Sequence, residues 1–151
     1  MGTQYSGDYK RVAILDAWIK LSRAGITVTQ KIRPSVEKSN LTMAQFGVLE
    51  MLLHLGPLSQ KVIGLKILRS PGNVVMVIDN LVRDGLVRRN VNPHDRRSHI
   101  VELLPIGRSL IEKVFEKHVQ ALEQAFEALN SAEVRVLGRL CKKLGLGIDA
   151  T

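Results

Sequence analysis

Apolar residues in the first quarter of the chain recur at helical spacing. From about residue 8 they follow alternating steps of four and three, which is the spacing of a coiled-coil-like seam. The seam comprises Ile14, Trp18, Leu21, Gly25, Val28 and Ile32. Leu15, Ile19 and Ile26 add a second apolar flank, so this predicted helix must be buried on two sides or must meet another chain. Pro34 is predicted to end it.

Two shorter helices are predicted next. Thr42 and Gln45 form a capping-box pattern that starts the first of them, and Gly56-Pro57 stops it. Ser59 is placed to cap a short second helix. A helix, a tight turn and a short helix together indicate the front half of a helix-turn-helix.

A third helix of the middle section is predicted from Ser70-Pro71, with Ser as N-cap and Pro at the first helical position. Its inward stripe comprises Val74, Val77, Ile78 and Leu81. Gly85 is placed to end it in a left-handed conformation. After Gly85 the period becomes extended, and residues 86–91 and 98–103 predict two strands. The polar connection between them, residues 92–97, predicts a β-hairpin with a basic tip.

Helical spacing returns at Pro105 and predicts a long helix to about Leu129. Asn130 and Glu133 match the N-cap and N3 positions of a last helix, which Gly145 is predicted to end. The apolar stripes of these two helices include Val119, Leu122, Leu137 and Leu140.

The composition excludes several classes of protein. With 151 residues, 45% hydrophobic and 24% charged, the chain predicts one globular domain over residues 1–151. A single cysteine, Cys141, excludes an internal disulfide and fits a cytoplasmic location. Its place beside Leu140 and Leu144 predicts a buried structural thiol. No apolar stretch approaches the roughly 18 residues that span a bilayer, so no membrane partner is expected.

Charge points to a polyanionic partner. The net charge is +8, and eight basic against three acidic residues give +5 between Lys61 and His99. No Gly-rich phosphate loop, catalytic carboxylate pair or nucleophile elbow is present, so an enzyme is not expected. The histidines have no metal-ligand spacing with Cys141, and neither a metal nor a cofactor is expected.

A set of short motifs carries a family resemblance. They are Leu41-Thr42, Gln45-Phe46, Val48-Leu49, Pro57-Leu58-Ser59, Gly72-Asn73-Val74, Asp79, Leu81, Asp84-Gly85-Leu86-Val87 and Asp95-Arg96-Arg97-Ser98. Over residues 41–107 the chain resembles the MarR family of bacterial transcription regulators, and the Asp-Arg-Arg-Ser wing is the most specific element.

The resemblance implies a mainly α fold with a small β-hairpin wing. A winged helix-turn-helix lobe would occupy residues 41–104, and residues 8–33 and 105–146 would form dimerisation helices. The homodimer implied agrees with the surplus apolar surface of the long helices. Its expected interface comprises Ile14, Trp18, Leu21, Val119, Leu122, Leu137 and Leu140.

The helix from Ser70 to Asp84 would be the recognition helix, lying in the major groove of double-stranded DNA. Ser70 and Gly72 are expected to bind phosphate at its N-terminus. Its outward residues are Asn73, Met76, Asn80 and Arg83, with Val75 at the margin. Asn73 is the expected base contact, since Asn can bond adenine twice. Two interpretations of Val75 and Met76 stay open: contact with thymine methyl groups, or completion of the core.

The wing supplies the remaining expected contacts. Arg96 and Arg97 are assigned to DNA, with Asp95 as the residue that organises the wing. Arg88 and Arg89 are neighbours on a strand and face opposite ways, so only one is expected to reach phosphate, and Arg88 is assigned to it.

The sequence therefore predicts a dimeric, sequence-specific regulator of transcription. The resemblance implies a repressor relieved by a small aromatic or phenolic effector. A ligand-independent or activating regulator is the alternative within DNA binding. An alternative of another class is a helical dimer that serves as a protein-interaction module without binding DNA.

Overall fold

The computed structural model describes residues 2–67, 71–93 and 95–149. The predicted mainly α fold with a small hairpin is confirmed over these ranges. Its elements are α1 (Tyr9–Glu37), α2 (Met43–Leu55), β1 (Leu58–Ser59), α3 (Gln60–Ile67), α4 (Pro71–Arg83), β2 (Val87–Asn92), β3 (Asp95–Leu103), α5 (Pro105–Ala125) and α6 (Ser131–Asp149).

Capping side chains start the middle helices where the sequence predicts. Thr42 Oγ1 accepts from the backbone N–H of Gln45 at 3.1 Å, and the Gln45 side chain accepts from the Thr42 N–H at 2.9 Å. Gly56 ends α2 at a positive φ of 76°. Ser59 Oγ accepts from the N–H of Val62 at 3.3 Å, which caps α3. These contacts satisfy amide donors that a helix start otherwise leaves without partners.

The start and end of α4 also follow local sequence. Pro71 is its first residue, while the predicted N-cap, Ser70, lies outside the described residues. Gly85 follows the helix at φ 69°, the left-handed conformation that glycine adopts without strain. The Leu86 N–H then bonds the Leu81 carbonyl at 3.0 Å, which fixes where β2 begins.

The strands form one antiparallel sheet in the order β1-β3-β2. At the end of the hairpin farthest from its turn, Val87 of β2 pairs with Leu103 of β3. The two-residue β1 pairs with residues 100–101 of β3 and was not predicted, because so short a segment has no period to detect.

The connection between the two hairpin strands is shorter than the predicted residues 92–97, because β2 runs to Asn92 and β3 begins at Asp95. Val91 pairs with His99 but Asn92 pairs with Asp95, so residues 96–98 form a bulge on β3. Arg97 therefore lies on a strand and not in a loop. His94 lies outside the described residues.

The predicted end of α1 at Pro34 is wrong, since the helix continues to Glu37. Ile32 and Val36 are both buried on either side of the proline. Ser35 Oγ donates to the Ile32 carbonyl at 2.6 Å and supports the same turn. Burying two large side chains offsets the roughly 3 kcal/mol that an interior proline costs a helix.

Two further helix ends differ from prediction. The long helix α5 ends at Ala125, before Leu129, and a turn leads to Asn130. Asn130 Oδ1 accepts from the N–H of Glu133 at 3.0 Å, which confirms the predicted start of α6. The same helix passes through Gly145, because one interior glycine costs only about 1 kcal/mol and does not by itself stop a helix.

By its internal contacts the chain forms two compact units: residues 1–31 with 120–151, and residues 32–119. The core of the second unit includes Phe46, Leu49, Leu52, Ile63, Ile78, Leu81, Val101 and Ile111. Gly107 packs so closely on this unit that an added Cβ would overlap the carbonyl oxygen of Leu86. α5 can therefore lie directly on the backbone where β2 starts.

A histidine is buried in the second unit. The His118 ring lies 4.5 Å from the Phe46 ring between centroids, and its Nδ1 is 3.3 Å from Ser35 Oγ. Burial lowers the pKa of His118, while the negative charge of Glu50 acts in the opposite direction. Folding therefore favours the neutral form of the His118 ring.

Candidate nucleic-acid interface

Helix α4 has one buried and one exposed face. Val74, Ile78 and Leu81 are buried in the core, as predicted, and Val77 packs against it. Asn73, Met76 and Arg83 are exposed and Asn80 is half-buried, so all four lie on the opposite side. Gly72 lies in the first turn. The helix therefore presents a polar row with one large apolar member.

That apolar member does not belong to the core. Met76 is 58% exposed and Val75 is 38% exposed. The interpretation in which these two side chains complete the core is therefore wrong. Both are available to a partner on the outer side of α4.

The wing backbone is held by a carboxylate. Asp95 Oδ1 accepts from the backbone N–H of Arg97 at 3.0 Å, inside the bulge. The Arg97 side chain is exposed. Arg96 lies on β3, and its side chain is not among those that the structure describes. Asp95 therefore shapes the segment that carries both arginines.

A cleft joins the wing to the helix-turn-helix on one side of the second unit. It has a volume of about 660 Å³ and lies among α3, α4 and β3. Lys61 of α3, Val75 of α4 and Arg97 of β3 all line it. Helix α4 and Arg97 of the hairpin thus border the same space.

The two neighbouring arginines of β2 both have acidic partners. On one face, Arg88 Nε donates to Glu102 Oε1 at 2.5 Å, and Asn90 Nδ2 donates to the same oxygen at 2.6 Å. The Arg88 guanidinium, helped by Asn90, holds the pKa of the Glu102 carboxyl below its usual range. On the other face, Arg89 donates to Asp79 of α4. The sequence did not reveal this second pair, although strand alternation places Arg89 on the inner face of the hairpin.

Because Arg88 and Arg89 each pair with an acid, fewer basic side chains of the second unit remain without an acidic partner. Arg83 also contacts an acid, since its Nε lies 2.9 Å from Asp84 Oδ1. Among the described residues, Lys61, Lys66 and Arg97 make no ion pair. Within the helix-turn-helix and hairpin, these cations without an ion pair lie on α3 and on the wing.

The first unit contains an apolar groove between α1 and α6. Its volume is about 640 Å³. Its lining comprises Ile14, Ala17, Trp18, Lys20, Leu21, Ala24, Leu137, Leu140, Cys141 and Leu144. Trp18 is 64% exposed. Two other residues predicted at a dimer interface, Val119 and Leu122, are half-buried.

The expectation of a buried Cys141 is wrong. Its thiol is exposed and lines this groove. The apolar stripe of α6 does surround it, as predicted, and its members Leu140 and Leu144 are about half exposed beside α1.

Two absences apply to the described residues only. No group of three or more His, Cys, Asp or Glu side chains there is arranged to hold a metal ion. None of the helices in the described ranges combines the length and apolar character that crossing a membrane requires.

A helix-turn-helix followed by a basic hairpin on the same side defines a winged helix-turn-helix protein of the DNA-binding kind. A model of the MarR family matches residues 39–98. The transcriptional regulator MhqR of Bacillus subtilis is 30% identical over 132 residues, which are 87% of this chain and 91% of that protein. The chain therefore belongs to the MarR family.

Solved structures agree with this fold. One similar structure is that of Bordetella bronchiseptica BpsR, described for the regulation of its DNA binding by 6-hydroxynicotinic acid. It is 29% identical in sequence and has a TM-score of 0.77, and the match covers 85% of this chain and 98% of BpsR. A mutant MarR of Escherichia coli complexed with operator DNA has a TM-score of 0.79 at 23% sequence identity. That match covers 91% of this chain and 99% of the MarR chain.

Family membership settles the class of function. The chain is a DNA-binding transcription regulator, and the expectation that it is not an enzyme is confirmed. The alternative of a protein-interaction module without DNA binding is set aside.

Proposed function

We propose that this regulator acts as a homodimer that represses transcription by placing α4 in the major groove and the wing in the adjacent minor groove. The observation that carries the proposal is the outward row of α4, with Asn73, Met76 and Arg83 exposed and Asn80 half-buried. It lies opposite the face whose Val74, Ile78 and Leu81 are buried in the core. A helix anchored in this way can enter the groove without loss of core packing. The proposed location is the cytoplasm, where a regulator like its bacterial relatives would reach chromosomal DNA.

Base reading is assigned to two residues of that row. Asn73 can donate to and accept from one adenine edge. Met76, being apolar and exposed, suits the methyl group of thymine. The helix N-terminus, with Ser70 and Gly72, is assigned to phosphate. The resulting preference is for A·T pairs at the centre of each half-site.

The other contacts supply affinity. Arg97 is exposed at the edge of the cleft and makes no ion pair with any residue that the structure describes, which suits insertion into a narrow minor groove. Arg96, its neighbour on β3, is also assigned to DNA. Arg88 and Arg83 contribute charge at the margin, although an acid accompanies each.

Dimerisation is assigned to the helices of residues 8–33 and 105–146. The uncovered groove of the first unit supports this, because apolar surface of that extent calls for a partner. A two-fold dimer presents two copies of α4 to two half-sites about one helical turn of DNA apart. The operator is therefore an inverted repeat.

We further propose that a small aromatic or phenolic effector relieves repression. The support is the BpsR relative, whose DNA binding is regulated by 6-hydroxynicotinic acid. The first probe is that compound: release of the operator by it supports this part, and unchanged operator affinity rejects that probe as an effector.

Selection of duplexes from a randomised pool by the purified protein tests the DNA-binding proposal. We expect an inverted repeat with A·T pairs in each half. The double variant Asn73→Ala with Met76→Ala is the matched control and should enrich no such motif. A wild-type pool that stays random would refute the proposal. A promoter fusion in cells distinguishes repression from activation by the sign of the change on deleting the gene.

A further inference from the structure

An ion pair connects the DNA-facing side of α4 to the wing. Arg89 Nη2 of β2 donates to Asp79 Oδ1 of α4. Asp79 lies three residues after Met76 and four before Arg83, so it borders the exposed row on the helix surface. The Asp79 side chain is 55% exposed, while that of Arg89 is only 26% exposed. An acid is thus presented at the surface, with its cation held beneath it.

The position of the acid is unfavourable for DNA binding unless it is neutralised. A carboxylate at the edge of a recognition helix repels backbone phosphates. The paired guanidinium cancels that charge where it arises.

The geometry of Arg89 argues against a phosphate contact of its own. Arg89 shares the inner face of the hairpin with Val87 and with Val101, its partner across the ladder, and both valines are buried. Its Nε has no accessible surface and no hydrogen-bond partner among the described residues. The side chain therefore reaches from the sheet to α4 instead of pointing outward.

We propose that Arg89 is a positioning residue, which serves DNA binding without touching DNA. It neutralises Asp79 at the place where α4 meets the wing. This inference rests on the DNA binding proposed above. It assigns to Arg89 a role opposite to that of Arg97, although both are wing arginines.

The two possible roles of Arg89 predict different duplex affinities for the double variant in which Arg89 and Asp79 are both replaced. If Arg89 neutralises Asp79, Arg89→Ala weakens duplex binding by about tenfold, because an uncompensated like charge then faces the phosphates. Adding Asp79→Asn removes that charge and should restore binding to within about threefold of wild type. If Arg89 instead binds phosphate, Asp79→Asn removes a repelling charge but does not replace the lost contact, so the double variant stays well below wild-type affinity.

The salt dependence supplies a second, independent readout. Loss of a phosphate contact lowers the slope of log affinity against log salt by about one per chain. Loss of a neutralising partner leaves the slope unchanged, since no phosphate contact disappears. A purely structural role would lower the unfolding temperature and the affinity together, and Asp79→Asn would not restore the affinity.

The experiment measures duplex binding by fluorescence anisotropy at several salt concentrations, together with thermal unfolding. The variants are Arg89→Ala, Asp79→Asn and the double variant, with Arg89→Gln in place of Arg89→Ala if the latter does not fold. Arg108→Ala is the matched control, because Arg108 also has an acidic neighbour, Glu112 at 3.9 Å, but lies on α5.

Restored binding in the double variant with an unchanged salt slope supports the inference. A double variant as weak as Arg89→Ala, with wild-type binding intact, overturns the inference alone. A wild-type protein that binds no duplex refutes the proposed function, and this inference falls with it.

Discussion

Replacement of Trp18 by aspartate should convert the protein from dimer to monomer. A large buried aromatic side chain covers about 150–250 Å². With 64% of Trp18 exposed in the chain, about 100–160 Å² is available to a partner. At about 25 cal/mol per Å², its burial contributes about 2.5–4 kcal/mol for each protomer. Two-fold symmetry doubles this value, and a buried unpaired carboxylate adds to the loss.

We therefore expect Trp18→Asp to weaken dimerisation by more than about a thousandfold, since each 1.4 kcal/mol is a factor of ten. Sedimentation equilibrium over a concentration series measures the constant directly. Tyr9→Asp is the matched control, because Tyr9 is an aromatic residue of the same helix, is 87% exposed and does not line the groove. A Trp18→Asp protein that keeps the wild-type dimer mass at every concentration would refute the assignment of this groove to the interface.

Three further predictions concern single side chains. Replacing thymine by uracil in a selected operator removes only methyl groups; this should weaken wild type but not Met76→Ala, and equal losses in both would contradict the methyl contact. Asn73→Ala should cost about 1–3 kcal/mol on the operator and much less on random duplex, as titrations on both will show; equal losses would mean that Asn73 only positions the protein. Because the pKa of His118 is lowered in the folded state, its contribution to stability is present above the ordinary value of 6.5 and is lost as pH falls below it. His118→Gln should flatten the decline of melting temperature between pH 7.5 and 5, and parallel slopes for the two proteins would contradict this.

Local signals in the sequence were sufficient wherever a short motif determines the backbone. The Thr42–Gln45 capping box, the Asn130 cap and the left-handed Gly85 all lie where the sequence predicts. Each depends on contacts within a few residues of the chain. The buried face of α4 also followed from helical spacing alone.

Features that depend on tertiary packing were not predictable in the same way. Burial of Val36 carries α1 past Pro34, and no local rule contains that information. The bulge that places Arg97 on β3 arises from the register between two strands. The Asp79–Arg89 pair joins a helix to a strand, so strand alternation gives the face of Arg89 but not its partner.

The salt dependence of duplex binding by wild type and Arg97→Ala shows whether the second unit binds DNA through the basic residues of α3 and the wing. Affinity for the selected operator is measured by anisotropy over a series of salt concentrations. We expect steep loss of wild-type affinity with salt, since Lys61, Lys66 and Arg97 make no ion pair within the described part of the second unit. Arg97→Ala, still folded, should lower the slope by about one per chain and about two per dimer. Wild-type binding that is absent or insensitive to salt, or an Arg97→Ala protein with wild-type affinity and slope, would contradict the account.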